Sequence, residues 1–140
     1  MDSFVTFHSD DIGKLILRFA VGGVILFHGA WKMMHGIGWL PPILQMHGLP
    51  GFFAYGVYVA EVIAPIMLFA GWLTRLASLT IIIDMLMALV LVLRNQIFAV
   101  KPGGGGWGIE VEALLLFGAV TLFFMGSGKY SVSRGKGQWD

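Results

Sequence analysis

The chain has 140 residues, 57% of them apolar and only 12% charged, with a formal net charge of +1 and no cysteine. An ordinary soluble domain carries about 25% charged residues, so the composition excludes a sizeable soluble part. The near-zero net charge argues against a nucleic-acid partner, and the lack of cysteine excludes a disulfide or a thiolate belonging to the chain itself. The expected solvent is a lipid bilayer and the expected organisation a single membrane domain over residues 1–140.

A spanning helix needs roughly 20 apolar residues, and four stretches qualify: about 12–34, 52–71, 75–98 and 108–126. The fold expected is therefore all-α, an integral membrane four-helix bundle. Met1 to Asp11 contain three acids and no base, unlike a secretory signal, and the apolar run that follows is too long for one. The first span is expected to be retained. Ser9, Asp10 or Asp11 can cap its first turn, and His35-Gly36 suits its end.

The first loop, Gly36 to Gly51, is apolar and holds Trp39, Pro41, Pro42 and Pro50. Two readings stand: a short segment lying in the outer interface with Trp39 at headgroup level, or an irregular loop capping the bundle. The tight turn Gly71 to Arg75 makes the second and third spans antiparallel neighbours. Gly103 to Gly106 read as a flexible connector, because no helix carrying Lys and Ser or Thr follows them, as a phosphate loop would require. Residues 127–140 are basic and are expected to form a mobile tail.

Charges at bilayer depth are costly, so they turn inward, find partners and mark sites. Arg18, Gly22, Ile25, Gly29 and Lys32 recur at spacings that form one face of the first span. Its two glycines allow close approach of another helix. Arg18 lies roughly 9 Å inside the first span and Asp84 about 13 Å inside the third, counted from the end holding the termini. Glu61 is near the middle of the second span. Pro65, four residues on, removes the hydrogen bond to the Glu61 carbonyl and kinks the helix there. The expectation is a buried Arg18/Glu61/Asp84 cluster.

Lys32 either snorkels to water or pairs with an acid of the fourth span. Glu110 and Glu112 point to different sides of that span; Glu110 is the favoured partner of Lys32, with His28 at the same level. His28 and His35 are separated by roughly 10 Å along the helix, so they cannot share a metal, and none is expected. The candidate ligand or proton site is thus Arg18, Glu61, Asp84, Lys32, Glu110 and His28. Six bases (Lys14, Arg18, Arg75, Lys129, Arg134, Lys136) lie on the side of the termini and three (Lys32, Arg94, Lys101) on the other. The positive-inside rule then places both termini in the cytoplasm.

Leu17-Arg18-Phe19-Ala20 with Gly22-Gly23, Phe27-His28-Gly29 with Lys32, Glu61-Val62, Leu68 through Ala77, a fourth-span acid, and Gly126-Ser127-Gly128-Lys129-Tyr130-Ser131 occur in that order. This pattern resembles the DoxX family of small four-helix bacterial membrane proteins, over about residues 12–133. Ser133 departs from it, standing where the family usually has aspartate. The resemblance implies a bacterial inner-membrane location and a quinone-linked sulfur or oxidative-stress system, in which the chain is an accessory or subunit. It implies quinone as the candidate cofactor, and as partners a second copy or another membrane or redox protein. Whether the chain is itself an enzyme stays open. So do two other functions: a small proton-coupled carrier working through Glu61, and a structural interaction protein whose buried charges fix helix order.

Overall fold

The computed structural model describes residues 9–140; residues 1–8 lie outside them. The helices follow the apolar runs. They are α1 (Ser9–His35), a short α2 (Leu40–Met46), α3 (Gly51–Ala70), α4 (Thr74–Val92) and α5 (Glu110–Met125). Among the described residues the only β-pairing is an isolated bridge between Val100 and Trp107. Three helices, α1, α3 and α4, are long and apolar enough to cross a membrane, whereas α5 has 16 residues. The third apolar run stops at Val92 instead of 98, because the polar Arg94–Gln96 segment tightens into a 3₁₀ turn.

α1, α3, α4 and α5 share one core, in which Ile25, Leu68, Ile81 and Leu122 are almost fully buried. Helices in lipid gain little from apolar burial alone, so close approach of small residues carries much of the association. Gly22 and Gly29 form that seam between α1 and α3. A Cβ at Gly29 would collide with the Glu61 backbone carbonyl, and one at Gly22 would sit 3.3 Å from the Pro65 carbonyl. Facing outward are Phe27, Leu114 and Phe124, each more than two-thirds exposed, as hydrocarbon contact allows.

The α3–α4 turn defines the lower end of the bundle. Gly71 is left-handed (φ 69°), and its N–H and that of Trp72 both donate to the Met67 carbonyl, closing α3. The segment after α5 is not a mobile tail. Val132 N–H donates to Ala70 O (2.9 Å), Arg75 N–H to Trp139 O (2.8 Å) and Thr74 N–H to Asp140 Oδ1 (3.3 Å). Free backbone groups at the ends of α3 and α4 need partners, and the last residues supply them.

At the upper end, α2 buries Leu40 and Leu44 against Ile37 and Ala54 in a second small core, leaving Trp39 44% exposed. The first loop is thus a short helix that also caps the bundle. The glycine-rich loop is closed rather than free: Lys101 N–H donates to Gly106 O, Gly108 N–H to Ala99 O, and the Trp107 indole to Ile97 O. Gly103 and Gly105 supply the positive φ that this turn needs.

Candidate functional site

Arg18 is 1% exposed, yet among the described residues no carboxylate contacts it. Its Nε donates to Leu68 O (2.7 Å), one terminal nitrogen to Ser127 O and Tyr130 O (both 2.8 Å), and the other to Phe69 O (3.0 Å). These carbonyls belong to the C-terminal end of α3 and to the chain leaving α5. The C-terminus of α3 carries about half a unit of negative charge, and the Ser127 and Tyr130 carbonyls add two further acceptor dipoles. Gly71 makes room, since a Cβ there would lie 2.8 Å from the guanidinium. The expected Arg18/Glu61/Asp84 cluster does not form. Arg18 sits level with Leu68 and Phe69, about 10 Å along α3 from Glu61, and it ties helix ends together.

The acids meet a different cation. Lys32 Nζ lies 2.5 Å from Glu61 Oε1, with Glu61 only 3% exposed. Lys32 therefore neither snorkels nor pairs with Glu110. Asp84 neighbours both Lys32 and Glu61. Among the described residues, Glu61 Oε2 and Asp84 Oδ2 are buried without a hydrogen-bond partner. One ammonium thus faces two carboxyls in apolar surroundings, and each carboxyl keeps an unused oxygen.

The trio floors a cavity of about 540 Å³ between the α1–α3 connection, α3 and α4. Its remaining lining is mostly apolar. Phe53, Val59, Ile83 and Met87 belong both to this lining and to the exposed surface, so the cavity opens sideways between α3 and α4. The two helices change their winding where they border it. Val59–Ile63 of α3 and Ala88–Val92 of α4 are π-helical, a feature that recurs at functional sites. Pro65 lies at the start of the α-helical stretch that resumes at Ala64. The break expected at this proline is thus taken up as a wide turn centred on Glu61.

Glu110 belongs elsewhere. It pairs with Lys101 at 3.2 Å, with both side chains more than two-fifths exposed. Glu112 instead lines a smaller cavity of about 130 Å³ together with His28, Lys32 and Glu61. The helical register carried this signal: Ala119, Leu115 and Glu112 share one face of α5, and Ala119 and Leu115 are buried. His28 is exposed but reaches the same cavity, whereas His35 turns back to Trp31 O at 2.9 Å. Trp39 was read as an interface anchor, yet it also walls both cavities. Its role depends on how α2 folds over the bundle, which no local pattern reports.

Comparison with known proteins agrees with this architecture. The chain is 31% identical over 131 residues to an uncharacterized membrane protein of Mycobacterium tuberculosis, covering 86% of this chain and 78% of that protein. It is 32% identical over 120 residues to CatD of Bacillus subtilis, a protein named provisionally as an oxidoreductase, covering 85% and 83%. No solved structure matches the chain. The DoxX family model matches residues 13–94, which hold α1, the α3 break and the whole Lys32–Glu61–Asp84 trio, so this membrane protein belongs to the DoxX family.

Proposed function

We propose that the protein is a quinone-binding accessory subunit of a membrane redox system, with a partner redox protein exchanging the electrons. The observation that carries this reading is the lipid-side cavity with its ionic floor. At about 540 Å³ it falls within the usual range of small-molecule sites, largely apolar with a few convergent polar groups. The provisional oxidoreductase name of the B. subtilis relative supports the redox context.

A bound quinone would supply two-electron, two-proton chemistry. The Lys32 ammonium would donate to a ring carbonyl oxygen. Glu61 and Asp84, each with an unpartnered oxygen, accept from a quinol hydroxyl and hold the proton. Phe53 and Trp39 offer aromatic faces at the wall, and the π-helical edges leave a lateral mouth for the isoprenoid tail. The chain has no cysteine, in keeping with electrons passing through a partner. In this reading α5 completes a fourth span, both termini lie in the cytoplasm of a bacterial cell, and the protein resides in the inner membrane.

The test is purification in native lipid particles, followed by mass spectrometry of extracted quinone and of co-purifying chains. Quinone in near-equimolar amount is expected, falling about tenfold when Glu61→Gln and Asp84→Asn replace the two carboxyls by amides that cannot take up the proton. Quinone at the level of bulk lipid in both proteins would overturn the reading.

A further inference from the structure

The Lys32–Glu61 pair has two sides. The large cavity and the small one share Lys32, Glu61 and Trp39 among their walls, so these side chains stand as a partition. Asp84 belongs only to the large chamber, and His28 and Glu112 only to the small one. We infer that the small chamber is a water-holding proton antechamber, in which His28 and Glu112 connect the upper aqueous side to Glu61. This inference rests on the ligand cavity proposed above and assigns its back door.

Three observations converge. The chamber's volume of about 130 Å³ accommodates roughly four waters at ~30 Å³ each. Burial increases inward: His28 is exposed, Glu112 half-buried and Glu61 3% exposed. Glu61 lines both chambers, and its Oε2 is a buried oxygen without a partner among the described residues. Leu93 lines the small chamber directly before the polar Arg94–Gln96 turn.

The titratable groups around the partition come from every packed helix: His28 and Lys32 from α1, Glu61 from α3, Asp84 from α4 and Glu112 from α5. Glu110 is turned away toward Lys101. Imidazole and carboxyl are the side chains suited to passing protons near neutral pH. No other titratable side chain lines the small chamber among the described residues. Its ligand is water and hydrated protons, while the large chamber holds the lipid-soluble molecule. Protonation of Glu61 can then change without the apolar chamber ever opening to water.

The experiment follows deuterium exchange at the trio by infrared spectroscopy on the full chain in lipid nanodiscs. The probe is the carboxyl C=O band that disappears in Glu61→Gln or Asp84→Asn. In the unaltered protein this band should shift rapidly in D₂O. Glu112→Gln, which keeps the side chain's size, should slow the shift by about a hundredfold, the lower range for a positioned acid–base group. His28→Gln should slow it as well, and Glu112→Asp should restore much of the rate. Binding of decylubiquinone, read by tryptophan quenching, should not change in the His28 and Glu112 variants. Slowed exchange without any decylubiquinone binding would sink the quinone reading and leave the antechamber standing. Absence of the band, or equal exchange rates in the unaltered protein and in the His28 and Glu112 variants, would overturn the antechamber itself.

Discussion

Arg18 shows how a buried charge can be neutralised without an ion partner. Its four hydrogen bonds go to main-chain carbonyls at the end of α3 and in the segment after α5, so the geometry of the guanidinium matters as well as its charge. Arg18→Lys keeps the charge but cannot reach four diverging oxygens. Thermal unfolding in detergent should show a loss on the order of 3 kcal/mol for Arg18→Lys, and at least as much for Arg18→Met. Equal stability of the lysine variant would contradict the cage. Gly29→Ala makes the second residue-scale test, since its new methyl would meet the Glu61 carbonyl. Forcing α1 and α3 apart should cost about 1–3 kcal/mol and loosen the Lys32–Glu61 contact that lies beside that seam. At this scale the sequence displayed which residues are buried and charged, because charge inside an apolar run is visible. It did not display which of them touch. Counting helical rise placed Arg18 and Glu61 at nearly one depth, whereas the carbonyls at the end of α3 hold Arg18 a further two turns away. Free helix-end carbonyls are a property of where a helix stops, and that is poorly marked in a sequence.

Among the elements, α3 and α4 depart most from uniform helices, and both do so at the cavity. The proline at 65 was readable; that the strain would be absorbed as a π turn at Val59–Ile63 was not, since such a turn depends on the neighbour packed across it. Gly29 is that neighbour. Pro65→Ala restores an N–H donor and should let α3 relax toward regular α-geometry. The expected result is a more stable helix with weaker decylubiquinone binding, by about tenfold, read by tryptophan quenching. Tighter or unaltered binding would show that the π turn does not shape the cavity. In α5 the acid facing inward is Glu112, and periodicity alone could have chosen it. The sequence favoured Glu110 as the partner of Lys32, whereas Glu110 reaches the exposed Lys101.

The whole molecule has two unlike ends. Below, the segment after α5 is woven into the turns of its neighbours, although its glycine and lysine content suggested freedom. Composition reports solvation, and here the decisive factor is the set of main-chain donors and acceptors at Ala70, Thr74 and Arg75 that need partners. Trypsin should therefore cut slowly after Lys129, Arg134 and Lys136 in the folded protein. Rapid release of this segment, without loss of thermal stability, would refute the docking. Above, two cavities share one ion pair beneath a helical cap.

The Arg18 cage also bears on the direction in which anything can move. The guanidinium and its ring of carbonyls plug the interior of the lower half, with Leu68 and Ser127 wholly buried beside it. Both chambers lie on the far side of that plug, toward the upper loops. In the proposed reading a single copy is accordingly a cul-de-sac: a ligand or proton entering from the upper side would leave by that side, and net translocation across the membrane would demand a second subunit.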